Sequence, residues 1–380
     1  MVEAPGPRRL LFISNGHGED SIAAEIIRRL PAGVIVEAYP TIGDGAAYGD
    51  VCRVVGPRAQ LASQGWRNVK HSLARDLGSG GLKTVWPGVK FVRRIKSAYD
   101  RIIVVGDIVG VAGCWAAGAR NIVYLDVYKT GHGRSYTMLE RFFIKSCCAI
   151  AYCRHPALAE VLRRDGVDAR FAGNVIMDAI PYGDYDARSR RSRPMAVTLL
   201  PGSRQFTAES FALQIAALRA LPDEQLPDIF LAVAGSVSID DLARAAKLNR
   251  SGPLTGETGD LSTLRDDRLT VYMARGALGN LIEASDVVLS QAGTATIQAL
   301  GLGRPVVTFR TFRDRRSRFR DEQALFGLAR IVTLPETGSV TQALQVLLTH
   351  KDERERLGAL GHERVGGPGA MAAILATITG

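Results

Sequence analysis

Residues 286–309 read DVVLSQAGTATIQALGLGRPVVTF. Asp286–Ser290 is a short apolar run, Gln291–Gly293 a turn of small residues, and Thr294–Leu302 carries an apolar helical period. Pro305–Phe309 is a second apolar run. Strand, turn, helix and strand in that order form a β-α-β unit, whose two strands lie parallel with the helix packed across them. The same alternation spreads outward. Strand-like runs occur at Arg9–Ser14, Val34–Tyr39, Arg101–Val105, Asn121–Leu125 and Ala149–Cys153, then at Met195–Leu200, Ile229–Ala234 and Leu269–Met273. Helical patterns such as Ser21–Leu30, Ala157–Arg164 and Ala208–Leu221 separate them. The pattern predicts an α/β protein with doubly wound parallel sheets covered by helices on both faces.

The 380 residues exceed one ordinary domain and suit two. Pro181–Pro194 (PYGDYDARSRRSRP) lacks an apolar period and reads as a break between similar halves. The expected division is residues 1–183, a linker at 184–194, a second domain at 195–366 and a terminal helix at 367–380. In such sheets ligands sit at the carboxyl ends of the strands, so the two domains are expected to face a cleft.

With 46% apolar and 23% charged residues the chain is neither disordered nor fibrous. Its five cysteines (Cys52, Cys114, Cys147, Cys148, Cys153) are odd in number and lack paired metal-ligand spacing. Neither a disulfide framework nor a metal centre is expected, and a reducing, cytoplasmic setting fits. The apolar stretch from Ile102 to Ala119 is broken by Asp107 and four glycines, which argues against a membrane span.

The net charge of +10 is unevenly spread: residues 51–101 hold 11 Lys and Arg against Asp76 and Asp100. Leu61, Trp66, Leu73, Leu77, Leu82, Val85, Trp86, Val89 and Phe91 are mixed among them. Apolar and basic residues so combined suit a surface resting on anionic lipid. Core packing with solvated charge is the plainer alternative. Nucleic acid is not the expected partner, because no nucleic-acid motif accompanies the excess.

Four loops carry candidate chemistry. The first strand runs into Ser14-Asn15-Gly16-His17-Gly18-Glu19-Asp20 and then a helix. There Asn15, Gly16 and Gly18 let a ligand approach the backbone, and His17 can serve as a base or meet a phosphate. The plainer alternative makes Asp20 a helix cap and His17 a solvated loop residue. Val104-Val105-Gly106-Asp107 ends a buried strand, so Asp107 can take a proton from a substrate hydroxyl or cap the next helix. In Leu199-Leu200-Pro201-Gly202-Ser203-Arg204 a turn, a hydroxyl and a guanidinium suit a diphosphate. Gln291–Gln298 leaves room for phosphates at a helix N-terminus. No G-x-G-x-x-G or P-loop lysine is present, and no cofactor is implied.

Together these stretches resemble the lipid-A-disaccharide synthase family, especially its divergent synthase-related branch. The resemblance rests on SNGHGED (14–20), VVGPRAQLASQGW (54–66), VVGD (104–107), LLPGSR (199–204) and AGTATIQALGLGRPVV (292–307). It implies two Rossmann-like domains of the GT-B type. It also implies transfer of an acylated glucosamine from a UDP-sugar to an acyl-sugar phosphate at the cytoplasmic membrane face. By position, Asp107 falls on the family's candidate general base. Gly202, Ser203 and Arg204 fall on the loop near the donor diphosphate, and Gly293, Thr294 and Ala295 on the donor-nucleotide loop. The chain departs from the family at two glutamates: it has Gly16 in the first loop and Gln298 where the ribose hydroxyls would be held. The expectation is an inverting, metal-independent hexosyltransferase, cytoplasmic and peripheral at the membrane. The rivals are a UDP-sugar 2-epimerase-like enzyme and a non-catalytic nucleotide-sugar or lipid-binding protein.

Overall fold

The structure, a computed structural model, describes residues 7–58, 81–132, 135–203, 206–252, 258–311 and 316–380. The apolar runs become strands buried on both faces, which is why they read as continuous rather than alternating. The chain divides into two compact units. The first takes residues 7–179, helix residues up to Leu325, and Pro368–Gly380; the second takes residues 180–311 and Phe326–Gly367.

In the first unit the strands are β1 (Arg9–Ser14), β2 (Ile35–Pro40), β3 (Arg53–Val54), β4 (Arg101–Gly106), β5 (Ile122–Asp126), β6 (Cys148–Tyr152) and β7 (Asp168–Arg170). They lie in the order β3-β2-β1-β4-β5-β6-β7, all parallel. The order reverses between β1 and β4, the place where ligands meet such sheets. Leu11, Ile13, Ile102, Val104, Ile122 and Tyr124 form the core with Val111, Cys114, Ile144 and Leu158 from the covering helices.

The second unit holds β8 (Ala196–Leu200), β9 (Asp228–Ala232), β10 (Asn249–Ser251), β11 (Gly259–Arg265), β12 (Thr270–Arg275), β13 (Val287–Ser290), β14 (Val306–Phe309) and β15 (Arg330–Thr333). Their order is β10-β11-β12-β9-β8-β13-β14-β15. From β12 to β15 neighbours are parallel, but β10, β11 and β12 pair antiparallel. The purely parallel sheet expected from sequence is corrected here. A hairpin adds two polar strands to one edge, where only one face needs covering.

Residues 184–194, expected as a linker, pack within the second unit. Tyr185 and Ala187 are buried against Phe230, Ala274 and Leu281. Ser192 and Arg193 each donate a backbone N–H to Asp228 Oδ2 at 2.7 Å.

The helix Ala370–Thr379 packs on the first unit. The Tyr152 hydroxyl donates to the Ala373 carbonyl at 2.8 Å. Arg8 donates to the carbonyls of Ile378 and Gly380 at 3.3 Å, and Arg101 to that of Thr377. These guanidinium groups meet the negative end of the helix dipole and its unpaired carbonyls.

Candidate functional site

In the first unit β1 and β4 are neighbours with Ser14 opposite Val105, so Asn15 and Asp107 leave adjacent strands side by side. Asn15 Nδ2 donates to Asp107 Oδ1 at 2.5 Å. The same oxygen accepts the Val109 N–H at 2.9 Å and caps the helix Ile108–Ala116. Asp107 is 8% exposed. Capping does not compete with the site here: it aims the carboxyl. Gly106, at φ +141°, makes the approach possible, because a Cβ there would lie 2.1 Å from Asn15 Oδ1.

The helix His17–Arg28 starts from Gly16, which is in extended backbone and contributes no side-chain cap. Asp20 is therefore not a helix cap, the plainer alternative for this loop. It turns inward and accepts from Ser14 Oγ at 2.6 Å, while Ser14 Oγ lies 2.6 Å from the Tyr48 hydroxyl. Burial pushes the Asp20 carboxyl up to about 7; the Ser14 hydroxyl bond opposes this, and the charges of Glu19 and Asp44 add to it. Gly18 lies in the first turn of that helix. The His17 side chain is outside the described residues.

Along the same carboxyl edge, sequence reasoning missed a cluster after β5. Asp126 is buried and accepts from the Tyr136 hydroxyl and from the backbone N–H of Tyr128 and Lys129, both at 2.9 Å. Burial raises its carboxyl, against those hydrogen bonds. Lys129 Nζ pairs with Glu140 at 2.8 Å, and Glu140 closes a capping box with Thr137. The one available signal was a lone Asp ending a buried strand, as at Asp107.

In the second unit Ser290 on β13 is opposite Leu200 on β8, and the Gln291 N–H donates to the Leu200 carbonyl at 2.8 Å. That register lays Pro201–Ser203 beside Gln291–Gly293. Gly202 takes φ +107°. Ser203 is exposed and its carbonyl accepts from Ser236 Oγ at 3.2 Å. Arg204 lies outside the described residues. Gly293 is exposed and precedes the helix Thr294–Gly301, which has no side-chain cap. Its first N–H groups, from Thr294 and Ala295, head the helix dipole, an arrangement that suits an anion. The loop behind is braced: Ser290 Oγ accepts from the Ala292 N–H at 3.1 Å and lies 2.6 Å from Thr296 Oγ1. Gln298 is 4% exposed, within that helix.

Of the basic segment 51–101, residues 59–80 lie outside the described ones. The helix Gly81–Ile95 exposes Lys90, Arg93 and Arg94. Apolar exposure is strong on the helices nearby in sequence: Met138 is 85% exposed, Leu139 63% and Phe142 51%, with Trp115 ringed edge-on by Phe142 at 5.8 Å. Among the described residues no helix is long and apolar enough to cross a membrane.

No family model matches the chain. Over 162 residues, 41% of its length, it is 30% identical to the lipid-A-disaccharide synthase of Xylella fastidiosa strain 9a5c. The match covers 38% of that relative, so the chain spans about two fifths of the curated relatives it matches. A putative UDP-N-acetylglucosamine 2-epimerase from Listeria monocytogenes superposes with TM-score 0.62 at 13% identity, over 98% of this chain and 96% of that one. The glycosyltransferase SnogD from Streptomyces nogalater gives TM-score 0.53 at 16% identity, over 98% and 99%. The chain has the GT-B fold, with two Rossmann-like α/β units, and part of it is similar in sequence to lipid-A-disaccharide synthases.

Proposed function

We propose that the protein is a glycosyltransferase that moves a sugar, an acylated glucosamine in the closest reading, from a UDP-sugar to a lipid-linked or acyl-sugar acceptor. The observation that carries it is the pair of adjoining loops Pro201–Ser203 and Gln291–Ala295 on a GT-B fold, in a chain whose sequence matches lipid-A-disaccharide synthases. Uncapped helix N–H groups and the Arg204 guanidinium stabilise the negative charge on a departing diphosphate. Gln298 replaces the carboxylate that would hold ribose hydroxyls. Asp107, oriented by Asn15, takes the proton from the attacking acceptor hydroxyl. A single displacement of this kind inverts the anomeric centre and needs no metal.

Exposed Trp115, Met138, Leu139 and Phe142, with the basic helix face of Lys90, Arg93 and Arg94, support a peripheral seat on anionic lipid. Such a seat brings the protein to its acceptor at the inner face of the cytoplasmic membrane. An epimerase-like activity is the second reading, favoured by the shared fold with the Listeria protein. Thermal-shift screening of nucleotide sugars, followed by mass analysis of products with and without a lipid acceptor, tests both. Transfer requires an acceptor-dependent glycolipid, whereas an epimerised nucleotide sugar without acceptor selects the second reading. Stabilisation without any product selects a binding protein.

A further inference from the structure

An acid in the first turn of a helix ordinarily faces water, where it favours the positive end of the dipole. Asp20 does the opposite. It is 1% exposed, and its Oδ2 is buried with no hydrogen-bond partner. Denying donors to one oxygen of an ionised carboxylate is costly, and the neutral acid carries much less of that penalty. The titratable groups around it do not relieve the cost. Those acting on it are Glu19 on the same helix and Asp44 after β2, with Tyr48 in the short helix Ala46–Tyr48 and Cys52 beyond it; the cation Arg58 donates to the Asp44 carbonyl at 2.7 Å, not to Asp20. The His17 side chain, also on this helix, is outside the described residues.

Ser14 ties Asp20 to the candidate site. Its hydroxyl donates to Asp20 Oδ1, and its carbonyl accepts the Thr41 N–H at 2.8 Å and Thr41 Oγ1 at 3.1 Å. Ser14 is the last residue of β1, and the next residue, Asn15, donates to Asp107. The direction in which the chain leaves β1 therefore depends on Ser14 being held on both sides.

We propose that Asp20 is kept as a neutral carboxylic acid and, through Ser14, is a positioning residue for the Asn15–Asp107 pair. Its catalytic part rests on the reading of Asp107 as the acceptor-side base. Asp20 itself touches no substrate. When it loses its proton, a new negative charge appears beside the charges of Glu19 and Asp44. The carboxylate then draws the Ser14 hydroxyl more tightly while Glu19 and Asp44 repel the new charge, so the turn from Ser14 to Asn15 shifts and the Asn15–Asp107 pair moves from its geometry. Burial, which raises the carboxyl to about 7, sets this change near neutrality.

The test compares the full-length wild type with Asp20→Asn and Asp20→Ala. Asn has the shape of the neutral acid and does not ionise, so it separates charge from packing. The Asn15 side-chain amide signals, assigned by ¹⁵N NMR, and Tm are followed from about pH 5.5 to about pH 8.5. In the wild type the amide signals shift through neutrality and Tm falls by roughly 5 °C or more across the range. In Asp20→Asn both stay flat, while Asp20→Ala melts lower than Asp20→Asn at every pH. Asn15 signals that stand still in the wild type, or move equally in Asp20→Asn, overturn the proposal. Turnover of a UDP-sugar with a lipid acceptor should fall about tenfold over the same range in the wild type relative to Asp20→Asn. An equal fall in both removes the positioning role. Absence of turnover in every variant, with the NMR titration intact, counts against the transferase reading and leaves the neutral acid standing.

Discussion

The two units present opposite chemistry at equivalent places. Where β1 and β4 end in the first unit, side chains dominate: Asn15 braces Asp107, and Ser14 and Tyr48 hold Asp20 below the surface. Where β8 and β13 end in the second, the backbone dominates, with Gly202, Gly293, Thr294 and Ala295 offering little beyond N–H groups and space. One fold thus supplies either placed carboxyl groups or a cradle for an anion, according to which residues follow its strands. The proposed function assigns the proton acceptor to the first and the leaving diphosphate to the second.

Substitutions break this contrast in a graded way. Asp107→Asn keeps the cap and the size of the side chain but removes the proposed base. Turnover should fall by about 10²–10⁴-fold with UDP binding nearly unchanged, and unchanged turnover would take Asp107 out of the mechanism. On the stability side, the raised Asp20 carboxyl has a definite sign. The folded state holds this proton more tightly than the unfolded state, so the contribution of Asp20 to stability is full below the ordinary Asp pKa and is lost as pH rises through about 7. Denaturant titrations should show a loss of at most about 4 kcal/mol between acid and mildly alkaline solution, absent in Asp20→Asn. Gly106→Ala drives a methyl group into Asn15 and should cost about 1–3 kcal/mol in the same measurement. For the second unit, Arg204→Ala should weaken UDP binding by roughly tenfold, read by calorimetry, while leaving Tm unchanged. The smallest expected effect per residue is at the surface. Reversing Lys90, Arg93, Arg94 and Lys96 should reduce binding to anionic vesicles at low salt by about 1 kcal/mol for each charge removed. Binding that survives reversal would make the exposed aromatic helices sufficient alone.

What could be read in advance follows from which forces are local. The ten strand-like runs all became strands because each is a continuous apolar segment, and Arg9–Ser14 kept both its ends. β7, a three-residue DAR, and β3, an RV pair, have too few residues to show any period. β11, GDLSTLR, alternates weakly and acquires its order from pairing with β12, a long-range term invisible in a local window. The loops of the site were legible from their glycines and strand ends. The partners of Asp107 were not, since Asn15 stands ninety-two positions away and only the β1–β4 register brings the two together. Asp20's inward turn was hidden for a related reason: nothing within the helix shows that Ser14, itself against Tyr48, will receive it.

The helix Ala370–Thr379 has a consequence of timing. During synthesis β1, β4 and β7 leave the ribosome early, yet Arg8, Arg101 and Arg170 gain their partners at Thr377, Ile378 and Gly380 only after the whole second unit has been made. The first unit to emerge is thereby the last to be finished. Until residues 370–380 are free to pack, the first unit lacks its Ala370–Thr379 helix, however early its strands were made.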